Sequence, residues 1–249
     1  MLRVASAIHG FKISALDGLI GHVDDVLFDD DTWLVRWVVV RTGGWLDNRK
    51  VLLPTLCLGH IDTEQKEFSV LLDKEQVKDS PNVDTDKSVS RQMETNVYDY
   101  YGWTPYWGSG LYMGGAGFWG DAGGLRSAAL SPASADEPHG EDPHLRSAAA
   151  LGGYHIHARD GEIGHVKDLL MDDADWSIRY LVIDTANWWA GKTVVLSPRS
   201  IESIDWASRE VRIYPDRAKV QNSPAYTDPE TTTRAYSRTF HNYYADVIS

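Results

Sequence analysis

Asp17-Gly18-Leu19-Ile20-Gly21-His22-Val23-Asp24-Asp25 returns later in the chain as Asp160-Gly161-Glu162-Ile163-Gly164-His165-Val166-Lys167-Asp168. Two apolar positions, four glycine or aspartate residues and a histidine recur at the same spacing. Gly10-Phe11-Lys12-Ile13 lies over Gly153-Tyr154-His155-Ile156, an offset of 143 residues. Downstream, Leu27-Phe28-Asp29-Asp30 lies over Leu170-Met171-Asp172-Asp173, and Trp33-Leu34-Val35-Arg36-Trp37 over Trp176-Ser177-Ile178-Arg179-Tyr180. Val51-Leu52-x-Pro54 matches Val195-Leu196-x-Pro198 if one residue is gained before it, and Ser80-Pro81 matches Ser223-Pro224 if that residue is lost again. The chain is an internal duplication of a module of about 95 residues.

Within one copy, Asp17-Gly18 between extended apolar segments signals a tight turn. Short stretches rich in β-branched and aromatic residues predict strands over 22–28, 33–41, 50–53, 56–61 and 68–71, separated by polar turns. The run Trp37-Val38-Val39-Val40 is apolar on both faces, so its strand is central or covered from outside. The spacing predicts a small barrel. A short helix is expected over 73–78, stopped before Pro81, and a longer one over 85–101. Val89, Met93, Val97 and Tyr100 form an apolar stripe at helical period, and Tyr236, Phe240, Tyr243 and Val247 repeat it. Each stripe docks either on its own barrel or on the other barrel or another chain. The expected organisation is residues 1–107 as the first barrel with its C-terminal helix, 108–150 as a flexible Gly/Ala/Ser/Pro linker, and 151–249 as the second barrel with its helix.

These residues resemble the PRC-barrel domain. The resemblance rests on Asp17-Gly-x-Ile-Gly-x-Val-x-Asp25, the acidic turn, Trp33-x-Val-Arg-Trp-Val-Val-Val40 and Val-Leu-x-Pro54. It extends to the tail Tyr100-Tyr101-Gly102-Trp103-x-Pro105-Tyr106-Trp107. That domain is similar to the cytoplasmic part of the H subunit of bacterial photosynthetic reaction centres. It is also similar to the C-terminal domain of a ribosome-maturation factor. The resemblance implies a mainly β fold, two small barrels of about six strands in tandem, each followed by an amphipathic helix. It implies assembly or protein docking rather than catalysis. The chain departs from both relatives: it shows neither an N-terminal membrane helix nor a translation-type barrel domain. A tandem pair suggests an intramolecular pseudo-dimer.

Composition narrows the function further. The net charge of −12 argues against nucleic-acid binding, which needs a positive footprint, and against docking on anionic lipid. No run of apolar residues is long enough to insert directly into a membrane. The N-terminus lacks a signal-peptide core. Cys57 stands alone, which excludes an intramolecular disulfide and a Cys-based zinc site. The expected location is cytoplasmic, or peripheral to the inner membrane through a protein partner. Ten Trp and twelve Tyr against five Phe suit either interfaces or two small cores.

No nucleophile elbow, Walker sequence or dinucleotide fingerprint is present, so no enzyme activity, catalytic residue or cofactor is expected. Three constellations remain. His22 with Asp25, echoed by His165 with Asp168, could handle protons or mediate an interaction. Asp29-Asp30-Asp31 and Asp172-Asp173-x-Asp175 could hold Ca²⁺, but they lack the spacing of an EF-hand and read as solvated turns. His139, Glu141, Asp142 and His144 fall in the linker, which offers no preorganised metal site. The leading expectation is a non-catalytic protein-interaction or assembly module that docks a protein partner or itself. A peripheral factor of photosynthetic or respiratory electron-transport complexes is an alternative, and so is a small-molecule or metal-binding protein.

Overall fold

The computed structural model describes residues 1–78, 144–185, 192–224, 226, 240, 243 and 244. The first repeat holds β1 (Leu2–Val4), β2 (Lys12–Ala15), β3 (Gly18–Asp29), β4 (Leu34–Thr42), β5 (Lys50–Pro54), β6 (Leu58–Asp62), β7 (Glu67–Val70) and the short helix α1 (Lys74–Lys78). The second holds β8 (Leu145–Ser147), α2 (Ala148–Leu151), β9 (His155–Ala158), β10 (Gly161–Asp172), β11 (Ser177–Asp184), β12 (Thr193–Leu196), β13 (Ile201–Asp205), β14 (Glu210–Ile213) and α3 (Arg217–Gln221). The protein is mainly β, as the strand-rich patterning leads one to expect.

Each repeat curls a sheet around an apolar core. In the first, β5, β4, β3, β2, β7 and β6 lie side by side, with β2 and β7 parallel and the other pairs antiparallel. The second repeats this order with β12, β11, β10, β9, β14 and β13. Ile13, Ile20, Phe28, Val38, Val40, Leu53 and Phe68 are buried inside the first sheet. The twins Ile156, Ile163, Met171, Leu181, Ile183, Leu196 and Val211 are buried in the second. Trp37, Val38, Val39 and Val40 are all buried, so β4 is covered on both faces. Gly21 and Gly164 are required where β3 and β10 cross their neighbours. A Cβ at Gly21 would lie 2.2 Å from the Arg41 carbonyl oxygen, and one at Gly164 would lie 2.0 Å from that of Asp184.

Register corrects the alignment of the repeats. Val38 faces Leu53 and Leu181 faces Leu196, so Leu53 and Leu196 are equivalent. The offset of 143 therefore holds through this region, and no residue is gained or lost. The shared Val-Leu-x-Pro pattern misled because it matches letters one position away from the true pairing.

The two sheets are continuous. Leu34 at the start of β4 faces its twin Ser177 at the start of β11. The Val35 N–H donates to the Trp176 carbonyl at 2.8 Å and the Ile178 N–H to the Trp33 carbonyl at 2.7 Å. Both tryptophans sit in the left-handed region, with φ of 57° and 58°. An L-residue enters that region at a cost, and here the turn aims each carbonyl at the other repeat. Trp176 also stacks on Phe68 of the first repeat, with ring centroids 6.2 Å apart.

The N-terminal strands are exchanged. β1 pairs with the end of β10, setting Leu2, Arg3 and Val4 against Asp172, Met171 and Leu170. β8 pairs with the end of β3, setting Leu145, Arg146 and Ser147 against Asp29, Phe28 and Leu27. This moves the expected linker boundary. Residues 145–150 belong to β8 and α2, because Leu145, Ala148 and Leu151 are buried and the strand is hydrogen-bonded to the first repeat. The rest of that segment, 108–143, lies outside the described residues.

Candidate functional site at the seam between the repeats

A β-bulge positions the central carboxylates. The β3–β4 register shifts between Val23 and Asp25, and the β10–β11 register shifts between Val166 and Asp168. The extra residue, Asp24 or Lys167, changes the phase of the strand. Without it, Asp25 would follow Val23 toward the core. With it, Val26 takes the core position and Asp25 faces the seam.

At the seam each aspartate holds the other repeat. Asp25 accepts from the Ser147 hydroxyl, from the Ala149 N–H at 3.2 Å and from its neighbour Val26 N–H at 2.8 Å. Ser147 in turn caps α2, accepting from the Ala150 N–H at 2.9 Å. Asp168 accepts from the Ser6 N–H at 3.2 Å, from the Ser6 hydroxyl, and from the Leu169 N–H at 2.8 Å. Burial pushes the Asp25 carboxyl above its ordinary pKa, against the hydrogen bonds from Ser147, Val26 and Ala149 that favour its charge. Asp24 points the other way, to Arg41 at 3.0 Å and Lys50 at 3.1 Å. Partial burial opposes its charge, but these two cations outweigh it and hold the carboxyl below the ordinary range.

The acidic turns anchor the exchanged strands. Arg3 reaches Asp173 at 2.6 Å, and its twin Arg146 reaches Asp30 at 3.0 Å. Asp29 accepts from the Thr32 N–H and hydroxyl, both at 2.8 Å, and closes its own turn. His144 lies 3.0 Å from Asp30 and 3.3 Å from Asp31. Its twin position is Met1, whose ammonium lies 3.0 Å from Asp172. Two of the sequence constellations thus meet: a histidine expected in the linker joins the first acidic turn. Donor atoms of Asp30, Asp31 and His144 fall within 4.8 Å of one another, a spacing that could take a cation. The Arg146 guanidinium already shares the Asp30 charge, so the cluster reads as an ion-pair network. His139, Glu141 and Asp142 lie outside the described residues.

The histidines and aspartates read together in the sequence are separated. His22 is exposed and stands in register with Lys12 and Arg41; His165 stands opposite His155 and Asp184. No described hydrogen bond or ion pair joins His22 to Asp25 or His165 to Asp168. Beside the clamps lies a cavity of about 400 Å³ walled by both repeats. Its polar lining is Ser6, His9, Asp24 and Lys167 with the two clamp carboxylates, and small residues such as Ala148 and Gly152 complete it. Sequence reasoning missed Ser6, Ser147, Arg3 and Arg146. Only the second-repeat match of Leu2-Arg3 to Leu145-Arg146 could have flagged them.

Phe240 and Tyr243, two of the expected docking residues, pack on their own repeat. Phe240 meets Tyr180 of β11 edge-on at 5.0 Å, and the Tyr243 hydroxyl donates to the Lys219 carbonyl at 2.7 Å. Val89, Met93, Val97, Tyr100, Tyr236 and Val247 lie outside the described residues. Cys57 is buried, donates to the Pro54 carbonyl at 3.1 Å, and has its thiol pKa pushed up by burial to about 12.

With the sheet order and core in view, comparison with known families places the module. Residues 10–77 match the model of the PRC-barrel domain. This stretch is similar to a PRC-barrel domain. An uncharacterized protein of Deinococcus radiodurans is 35% identical over 74 residues, which is 30% of this chain and 26% of that protein. The chain therefore spans about a quarter of that relative's length. PRC-barrel domains are a family of protein-interaction and assembly modules, generally without catalytic activity. Among the described residues, no helix is long and apolar enough to cross a membrane.

Proposed function

We propose that the chain is a non-catalytic interaction module in which the two PRC-type repeats act as one intramolecular pseudo-dimer. The carrying observation is the reciprocal exchange: β1 lies on β10, β8 lies on β3, and Asp25 and Asp168 each clamp the segment that arrives. Buried strand pairing of this kind makes each repeat incomplete alone. A pre-paired platform holds two barrels of related fold and different surface at a fixed spacing for a protein partner. A single cysteine, with no second one to form an intramolecular disulfide, fits a cytoplasmic setting, or one peripheral to the inner membrane through a partner.

The test is to introduce a protease site within 108–143 and cut the purified chain. The two halves should co-elute as one particle without denaturant. Separation into independent halves would overturn the pseudo-dimer. A second reading, a small-molecule binder, draws on the seam cavity, whose volume falls at the lower end of ligand sites. Ligand-dependent thermal stabilisation, lost in Lys167→Met, is what that reading requires.

A further inference from the structure

The fixed offset makes the second repeat a built-in control for the first. Five of the seven large apolar side chains exposed among the described residues, Leu16, Leu19, Trp45, Leu56 and Leu71, belong to the first repeat. Leu16, Leu19 and Leu71 stand on or beside the neighbouring strands β2, β3 and β7, Trp45 precedes β5 and Leu56 follows it. Ser14 on β2 faces Leu19 on β3 and Ser69 on β7. The Leu16 N–H donates to the Leu72 carbonyl at 3.0 Å, and the Leu71 N–H to the Cys57 carbonyl at 3.0 Å, beside Leu56. Trp45 is tied to the same edge by its indole N–H, which donates to the Ile20 carbonyl at 2.5 Å.

The second repeat has the same backbone and a different surface. Leu16, Leu19 and Leu56 become Arg159, Glu162 and Arg199, while Ser14, Ser69 and Gly59 become His157, Arg212 and Glu202. Charged side chains on that face pair in three places: His155 with Glu162 at 2.8 Å, His157 with Glu210 at 3.8 Å, and Arg212 with Glu210 at 3.7 Å. Arg159 lies over the Tyr214 ring, 5.9 Å from its centroid, where the first repeat has Leu16 beside Leu71. Burying that face would strip charges of water. Burying the first would not.

The first face also complements itself. Leu16, Leu19 and Leu71, exposed by 74%, 44% and 67%, stand around a floor of Ser14, Ser69 and Gly59. The floor is low because Gly59 has no side chain; a Cβ there would lie 2.6 Å from the Ser69 Oγ. Projections and hollow on one surface meet the requirement of a two-fold contact, in which the same patch serves both partners. Lys12 and Glu67, register partners at its border, supply both signs of charge for a polar rim. We propose that this face pairs with the same face of a second copy of the chain. The inference rests on reading the chain as an interaction module and names one partner for it. The exposed apolar side chains amount to roughly 500 Å², at the upper end of what monomers tolerate and below the ~800 Å² per partner of a standard interface. The dimer is therefore a weak one, and the charged twin face stops assembly at two copies.

Sedimentation equilibrium of the full chain, from about 1 µM to about 1 mM, tests this. The weight-average mass should rise toward twice that of the chain. The double substitution Leu16→Arg/Leu19→Glu, which imports the residues of the second repeat, should hold it at the single-chain mass with an unchanged Tm. Ser69→Arg, which fills the hollow at an exposed position, should do the same and covers the case of a poorly folding double variant. A wild-type chain that stays single throughout, or variants that dimerise as well as wild type, overturn the proposal. Either result leaves the pseudo-dimer to the cleavage experiment, so the two failures are distinguishable.

Discussion

Replacing Asp25 by alanine removes the acceptor that holds α2 and β8 against the first repeat. The Ser147 hydroxyl and the Ala149 N–H both lose an ionic partner. Hydrogen bonds to charged groups contribute about 1.5–3 kcal/mol each. Burial outweighs the advantage these bonds give the charge, since the Asp25 pKa is raised rather than lowered, and that brings each of the two bonds down to the ordinary ~1 kcal/mol. The expected net loss is about 2 kcal/mol. In urea, with an m-value near 2 kcal/mol/M, the midpoint should fall by about 1 M. Amides over 145–151 should lose hydrogen-exchange protection first. Asp24→Ala is the neighbouring control: its cations Arg41 and Lys50 are partly solvated, so the loss should stay under about 1 kcal/mol. The raised pKa also sets the pH dependence. The folded state takes up this proton more readily than the unfolded chain, so the contribution is full below the ordinary Asp value of about 3.9 and is lost as pH rises through the folded pKa. Relative to Asp25→Asn, the wild type should gain stability as pH falls from neutral toward 4. An Asp25→Ala change that costs less than about 0.5 kcal/mol, or no more than Asp24→Ala, would refute the clamp.

Two further outcomes follow from geometry away from the clamp. Gly164→Ala should cost about 3 kcal/mol or more in urea unfolding, since φ is +136° and a Cβ would meet the Asp184 carbonyl oxygen at 2.0 Å. Cys57 should react with iodoacetamide at pH 8 only after denaturation, because burial holds its thiol pKa near 12; rapid native labelling would contradict its placement.

The repeat, the strands of each copy and the covered central strand were legible because period and turn chemistry are local signals. Trp37 to Val40 read as covered on both faces, and all four are buried. The seam was not legible. Leu145-Arg146-Ser147 is too short to show a period, and its neighbours Ala148-Ala149-Ala150 carry the small-residue composition of a linker. Its strand character comes from β3, more than a hundred residues earlier. The aspartates were noticed for the wrong company. His22 is near Asp25 in sequence, but the bulge at Asp24 turns the carboxylate toward Ser147. A phase change of one residue is invisible in a list of motifs.

Exchanged strands also impose an order on synthesis. The first repeat emerges from the ribosome with the far edge of β3 unpaired, and the segment that closes it, Leu145–Ser147, is made only after Asp29 by more than a hundred residues. β1, synthesised first, has no docking strand until β10 exists. The nascent first half thus spends many seconds as an open-edged intermediate, at ordinary rates of about 5–20 residues per second. Open edges invite pairing with other nascent chains, so the arms would close as readily between two polypeptides as within one unless the second repeat arrives on the same chain.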